Sequence, residues 1–415
     1  MSKKIIIIGG GIIGLSSAYY LNKAGHQVTI LDKNTGDSGC SFGNAGMIVP
    51  SHFIPLAAPG MISKGIRWMF NPKSPFYVKP RFNLDLLNWG WRFYNHANKN
   101  HVHKSIPALK EIHLLSRRLY SDWANELPFD FNFQERGLLM LYQTATVERE
   151  EVETAHLANQ IGIVAKILSP NEVQQLEPDV KVSVRGGVYF PGDAHLTPQL
   201  LVQQLKKHLQ EKGVVFIEKN VEKLEVASGI IKRAIAGNHD FTFDEVVLAA
   251  GVWSKDLAKA LDLSLPMEAG KGYSFTLQDV KKNIRIPSIF LEGRVAITPM
   301  GETLRFGGTM ELSGLNSDIN MNRVNGIVSS ISTYYPEMKV AIPKKEAVWY
   351  GLRPCPPDGL PYIGRSKKIK NLIIATGHSM MGLSLGPATG KLVSELLLDE
   401  KCSVNLNAFS VARFE

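Results

Sequence analysis

Four consecutive isoleucines, Ile5 to Ile8, begin the hydrophobic pattern of the chain, and a run with no polar alternate predicts a strand buried on both faces. Gly9-Gly10-Gly11-Ile12-Ile13-Gly14 follows, then a helical stretch over 12–24 closed by Gly25, then a second apolar run from His26 to Asp32. Strand, Gly-rich turn, helix and strand in that order predict a dinucleotide-binding βαβ unit. Gly9 permits the sharp turn, Gly11 lets backbone approach a pyrophosphate, and Gly14 lets the helix pack on the strand. Ile12 and Ile13 then open a helix whose unpaired N–H groups and dipole favour an anion without a Lys or Arg on the turn. Asp32, eighteen residues beyond Gly14, stands where ribose hydroxyls need an acceptor, with Lys33 beside it.

Past Asp32 the pattern changes several times. A loop rich in Gly, Ser and Asn runs from Asn34 to Gly46, and a Pro-punctuated stretch continues to Pro80. Loops this long inside a domain are usually functional. Residues 83–125 read as helices, 137–142 as a strand, 145–160 as a charged helix, and 168–178 as a capped helix stopped by Pro178. After a strand at 187–190, the helix 197–212 and strand 214–217 resume the αβ alternation, and 243–251 is a buried strand ending in small residues. From 263 to 342 alternating segments joined by turns predict an antiparallel sheet, and 371–377 with a helix from Gly386 to Leu398 gives one more strand–turn–helix unit. The reading is an α/β chain. Residues 1–80, 195–260 and 346–415 form a discontinuous nucleotide domain, while 81–194 and 261–345 form a domain that covers the substrate.

Composition narrows the class. With 415 residues, 44% of them hydrophobic, the chain can bury two cores, and no apolar run nears the ~20 residues that cross a bilayer. Lys3 and Lys4 before an apolar stretch resemble a signal peptide, but the fingerprint glycines interrupt it, so the start reads as mature protein. Cys40, Cys355 and Cys402 show neither CxxC pairing nor metal spacing, which fits a reducing, cytoplasmic setting. His96, His101 and His103 lack regular ligand spacing and read as a solvated helix end, so no metal is expected. The net charge of +9 carries no nucleic-acid motif with it. Residues 64–94 mix Lys64, Arg67, Lys73, Lys79 and Arg81 with Trp68, Met69, Phe70, Phe76 and Tyr77, a composition that suits peripheral contact with a membrane or packing of the aromatics on the second domain.

Five motifs together carry a family resemblance: GGGIIG at 9–14, Ser41-Phe-Gly-Asn-Ala-Gly46, Lys271-Gly-Tyr-Ser274, Gly351-Leu-Arg-Pro354 with Pro357-Asp-Gly359, and Thr376-Gly-His378. Spanning essentially the whole chain, they resemble the FAD-dependent D-amino acid oxidase superfamily, most closely the bacterial D-amino-acid dehydrogenase (small-subunit) family, with glycine and sarcosine oxidases as more distant relatives. The resemblance implies a Rossmann-like, glutathione-reductase-type FAD domain roofed by an antiparallel-sheet substrate domain. It places Ser41, Asn44, Ala45 and Gly46 beside the flavin and its phosphates, and Val221 at the adenine. Ala250 and Gly251 lie where backbone approaches the cofactor, and Gly377, Met381, Gly382 and Leu383 lie along the isoalloxazine edge. The chain has one dinucleotide fingerprint and no redox cysteine pair, so electrons are expected to enter from an organic substrate rather than a nicotinamide.

Such a reaction needs the carboxylate held, the amine neutral, and Cα–H aimed at flavin N5 for hydride transfer. Arg353 fits the first need, because a guanidinium fork binds a carboxylate bidentately. Tyr273 is a second candidate substrate contact, Met47 a pocket wall, and His378 or His52 a candidate proton acceptor. Sarcosine oxidases bear a flavin-linking Cys upstream of their Pro-Asp motif. Aligning that motif on Pro357-Asp358 puts Gly351 at the Cys position, so non-covalent FAD is expected. Where those oxidases hold an oxygen-activating Lys, this chain offers Arg305, which weighs against oxygen and toward a quinone or electron-transfer partner as acceptor. The leading expectation is oxidation of a D-amino acid, D-proline and hydroxy-D-proline among the candidates. An oxygen-using glycine or sarcosine oxidase and a non-catalytic flavoprotein subunit are the alternatives.

Overall fold

In the computed structural model, which describes residues 1–34, 39–69, 71 and 73–415, Lys4–Ile8 lies inside a six-stranded sheet. Part of the 34–46 loop and Phe70 fall outside the described residues. The sheet order is Tyr362–Arg365, Leu372–Thr376, Glu245–Leu248, Lys4–Ile8, Gln27–Asp32 and Val215–Glu218, all parallel except the first pair. The isoleucine run is divided by the two-residue period of a strand. Ile5 and Ile7 enter the core with the helix Ile12–Lys23, whereas Ile6 and Ile8 enter the core on the other face, with Leu224, Ile231 and Tyr362. That second face is covered partly by a small antiparallel sheet of Lys223–Ala227, Ile230–Ala236 and His239–Phe241, which the sequence reading did not foresee.

The second sheet has nine strands and is largely antiparallel. Its central run is Trp349–Cys355, Glu268–Leu277, Thr303–Leu312, Val295–Met300 and Ser288–Phe290, continued by Leu138–Tyr142, Gly186–Phe190 and Lys166–Leu168, with Phe76–Val78 beside Thr303–Leu312. Two pairings are parallel, Ser288–Phe290 with Leu138–Tyr142 and Phe76–Val78 with Thr303–Leu312. The expectation of sheet throughout 263–342 needs one correction, because Met321–Tyr334 is a helix. Asn320 caps it by accepting from the N–H of Asn322, and Val324, Ile327 and Ile331 recur at helical spacing against the outer face of the sheet.

The C-terminal helix also departs from expectation, running Gly382–Leu397 and starting four residues before Gly386. Pro387 therefore sits inside it and cannot donate to the carbonyl of Leu383. The hydroxyl of Tyr120, from the long helix Lys99–Glu126, donates to that carbonyl at 2.6 Å, and a helix interior tolerates the proline. The C-terminal helix packs beside the fingerprint helix at small residues. A Cβ on Gly386 would lie 2.9 Å from Ile12, and one on Gly390 would lie 2.4 Å from the backbone of Ser16. Both pairings advance four residues in the same sense, so the helices are parallel and their N-termini meet at one end.

Candidate active site

That end opens on a cavity of about 1590 Å³ between the two sheets. Drug-sized ligands occupy ~300–1,000 Å³, so this space suits something larger. At its nucleotide end Gly9 adopts φ +111, and a Cβ there would meet the Ala249 carbonyl oxygen at 2.4 Å; a Cβ on Gly14 would lie 1.8 Å from the Gly9 oxygen. Gly9 and Gly14 are thus required sterically, whereas a Cβ on Gly11 would meet only Ser41 Oγ at 3.5 Å, so its backbone stays open toward the cavity. Asp32 accepts from Gly10 N at 2.5 Å and from Asn34 N at 2.8 Å, and Ser41 Oγ accepts from Ile12 N at 2.9 Å. Gly11 and Ile13 line the same turn, and Val221 is buried in the wall nearby. Lys33 Nζ lies over the Trp253 ring, 3.3 Å from its centroid. The backbone at Ala250 and Gly251 is fixed by Thr376, whose hydroxyl donates to the Gly251 oxygen at 2.9 Å.

Toward the other end, the 41–46 loop is tied to the second sheet. Arg305 Nη1 donates to the carbonyls of Phe42 and Asn44 at 3.2 and 2.9 Å, and the Ser274 hydroxyl donates to Gly43 O at 2.8 Å. Arg305 is therefore a strap for the loop. Asn44 Oδ1 accepts from Gly46 N, Ala45 lines the cavity, and Gly46 has φ +78, so the turn is held from within as well. Opposite, Gly377 at φ +77 leads into Met381, Gly382 and Leu383, the first turn of the C-terminal helix. The first N–H groups of a helix have no partner within it, so this turn presents donors to the cavity.

On the sheet face toward the cavity, Gly272 leaves room that Arg353 fills; a Cβ on Gly272 would lie 2.1 Å from its guanidinium. Arg353 Nη1 donates to Thr309 O at 2.5 Å, and burial lowers the pKa of the guanidinium below its ordinary value. Thr309 adopts φ +68, a strained conformation for a β-branched residue, at the register shift between Glu268–Leu277 and Thr303–Leu312. Two buried polar atoms in this wall, Trp349 Nε1 and Thr309 Oγ1, have no hydrogen-bond partner. Orphans of that kind point to a polar ligand.

Other sequence candidates are distributed differently. Tyr273 lines the same cavity as Arg353, but its hydroxyl is engaged elsewhere. Strand alternation turns its ring to the opposite face, where its hydroxyl donates to Glu311 at 3.0 Å and accepts from Asn320 N at 3.2 Å, beside the fully buried Lys271. His378 directs Nε2 to Thr389 Oγ1 at 3.0 Å inside the C-terminal helix, and burial holds its pKa down at about 3. Met47, His52 and His378 line the cavity as well. Burial, aided by Arg294, lowers His52 to about 4. Burial raises the thiols of Cys40 and Cys355 to about 11, which makes them poor nucleophiles. His101 is tied to the Asp358 carbonyl at 2.8 Å rather than solvated. Trp349, Thr309 and the strap Arg305 are contributions that periodicity alone did not single out as site walls.

A Rossmann-like sheet with two helix N-termini converging under a largely antiparallel roof thus frames the cavity. The chain matches the DAO family, FAD dependent oxidoreductase, over residues 4–396, and it belongs to that family. It is 32% identical to a D-amino acid dehydrogenase of Helicobacter pylori over 96% of both chains, and 30% identical to one of Neisseria meningitidis over 99% of this chain and all of the other. Its fold is similar to glycine oxidase from Geobacillus kaustophilus (TM-score 0.79, 23% identity, 100% and 99% of the chains) and to L-proline dehydrogenase from P. horikoshii (TM-score 0.79, 20% identity, 100% and 98%). The cavity size, the Gly11 approach and the unpartnered donors fit FAD.

Proposed function

We propose that the chain is a D-amino acid dehydrogenase that binds FAD non-covalently and passes electrons to a quinone or another acceptor in place of oxygen. The observation that carries the reading is Arg353, a guanidinium in an otherwise largely apolar cavity in a chain similar end to end to D-amino acid dehydrogenases. FAD, when bound, supplies the two-electron acceptor for oxidation of the Cα–N bond. Asp32, Ser41, Ala250 and the turn 9–14 hold its adenylate half, and the N–H groups of Gly382 and Leu383 favour negative charge at the reactive half. Arg353 fixes the substrate carboxylate, with Thr309 O limiting the freedom of its fork. Orienting the reacting bond in this way removes several kcal/mol of barrier. Met47, Val49, Met140 and Leu291 supply an apolar wall suited to an aliphatic or cyclic side chain, which makes D-proline and hydroxy-D-proline candidate substrates. Gly351, in place of a flavin-linking Cys, supports the non-covalent cofactor.

The acceptor reading draws on the rim. Among the described residues no helix is long and apolar enough to cross a membrane. Yet Phe82 is 93% exposed and Trp91 65%, with Leu84, Leu87, Tyr94 and Ile66 also exposed, and the neighbouring Met61, Ile62 and Leu86 line the cavity. Between residues 61 and 104, Asp85 is the one carboxylate against eight Lys and Arg. An apolar, aromatic and cationic rim supports peripheral contact with an anionic bilayer and a lipid-soluble acceptor reaching the cavity from there. The reading is tested by turnover of D- and L-amino acids with an artificial dye acceptor, scoring 2-oxo acid or cyclic imine. Product from D-amino acids with little hydrogen peroxide supports it, and hydrogen peroxide matching substrate loss favours the oxidase alternative.

A further inference from the structure

We propose that His52, Ser51 and Asp193 form a proton relay that deprotonates the substrate ammonium, a role that rests on the amino-acid reading above. The relay is built by a turn and a short strand pair. Met47–Ile48 pairs antiparallel with Ala194–His195, and the turn Val49-Pro50-Ser51-His52, closed by His52 N donating to Val49 O at 3.0 Å, brings Ser51 to Asp193. Pro50 presets the turn at its second position. Asp193 Oδ1 accepts from Ser51 N at 3.1 Å and Oδ2 from the Ser51 hydroxyl at 2.5 Å. Ser51 Oγ lies 3.1 Å from His52 Nδ1.

Direction follows from donor counting. The Ser51 proton is committed to Asp193, so Ser51 Oγ accepts from His52 Nδ1–H, and the other ring nitrogen, Nε2, carries a lone pair. His52 lines the cavity, and the relay assigns Nε2 to that side of the ring. In the relay the substrate N–H proton passes to His52 Nε2, the Nδ1 proton to Ser51 Oγ, and the hydroxyl proton to Asp193 Oδ2. The amine nitrogen keeps the bonding pair as a lone pair, His52 ends as the other neutral tautomer, and Asp193 ends neutral. Reverse transfer to water after product leaves resets the chain.

Asp193 is 1% exposed and makes no ion pair among the described residues. Of the groups around it, Arg117 on the long helix is the cation that faces it, and Arg117 is paired with Glu135. Burial raises the carboxyl to about 7, where it exchanges a proton near neutrality. His52 faces Arg294 at the rim and His113 on the long helix, and its low pKa makes it a conduit rather than a store.

The test compares kcat/KM of flavin-loaded wild type, Ser51→Ala, Asp193→Asn and His52→Gln with an amino acid that the wild type oxidises. At neutral pH each variant is expected to lose at least about 10²-fold, the low end for general acid–base catalysis. At about pH 10, where an amine is largely neutral without help, each is expected to recover to within about threefold of wild type. A purely structural defect has no reason to be rescued in this way. Flavin content and melting temperature identify any variant that fails to fold, and Ser51→Ala, the smallest change, then decides. A loss that stays constant with pH, or Ser51→Ala at wild-type rate at neutral pH, overturns the relay and leaves the amino-acid reading standing. Wild type that oxidises no amino acid overturns both.

Discussion

Tyr120 donates its hydroxyl to the carbonyl of Leu383, the acceptor that Pro387 leaves without a helical partner. The bond joins the long helix to the first turn of the helix that faces the reactive end of the cavity. Tyr120 is fully buried, so Tyr120→Phe leaves the carbonyl unsatisfied away from water. A loss of about 1–3 kcal/mol is expected in denaturant titration, with weaker flavin retention. Unchanged stability and full flavin occupancy contradict the role.

Arg353→Lys keeps the charge and loses the fork. A fall in kcat/KM of about 10-fold to 100-fold, carried largely by KM, is expected if two charge-assisted bonds become one. Arg353→Ala is expected to cost more while flavin stays bound, because none of the nucleotide contacts passes through this residue. Equal kinetics for Lys and Arg would remove the bidentate contact.

His113 and His378 are 1% and 4% exposed, and burial lowers both to about 3. Their folded pKa values lie below the unfolded value of about 6.5, so the stability they contribute is present above pH 6.5 and lost as pH falls toward 3. At pH 5 each costs roughly 2 kcal/mol relative to neutrality. Asp193, raised to about 7, gains stability over the same window, so the check is the difference between wild type and variant rather than the wild-type melting curve. His378→Gln is expected to gain melting temperature relative to wild type as pH falls from 7 to 5; a difference that does not change with pH would show that His378 is not buried neutral.

Phe82→Ser with Trp91→Ser is expected to reduce co-sedimentation with anionic vesicles severalfold and to leave dye-coupled turnover intact, since neither side chain belongs to the cavity end that holds substrate. Raised salt should weaken wild-type binding, because the cationic part is screened. Wild type that ignores anionic vesicles at low salt would refute the membrane contact.

Several of these features were legible in the residues alone. Ile5 to Ile8 with Gly9, Gly11 and Gly14 specified the βαβ unit because a doubly buried strand and a φ-positive turn leave few alternatives. The Ser169–Glu172 capping box marked its helix in the same local way. Residues 321–334 were harder, since Val324, Ile327, Val328 and Ile331 are β-branched and sit in a region of real strands; Asn320 as a cap was the available signal. Tyr273 shows the other limit. A strand motif names a residue but not its face, and the register shift beside it is fixed by pairing with Thr303–Leu312. Asp193 had no local signal beyond a Pro-Gly-Asp turn, because its partner Ser51 is 142 residues away.

The most direct measurement is anaerobic absorbance of the yellow protein mixed in turn with D-amino acids, L-amino acids, glycine, sarcosine and both proline series. The expected result is bleaching of the flavin by D-amino acids or D-proline and none by the L series. Bleaching by L-amino acids without response to any D substrate contradicts the assignment.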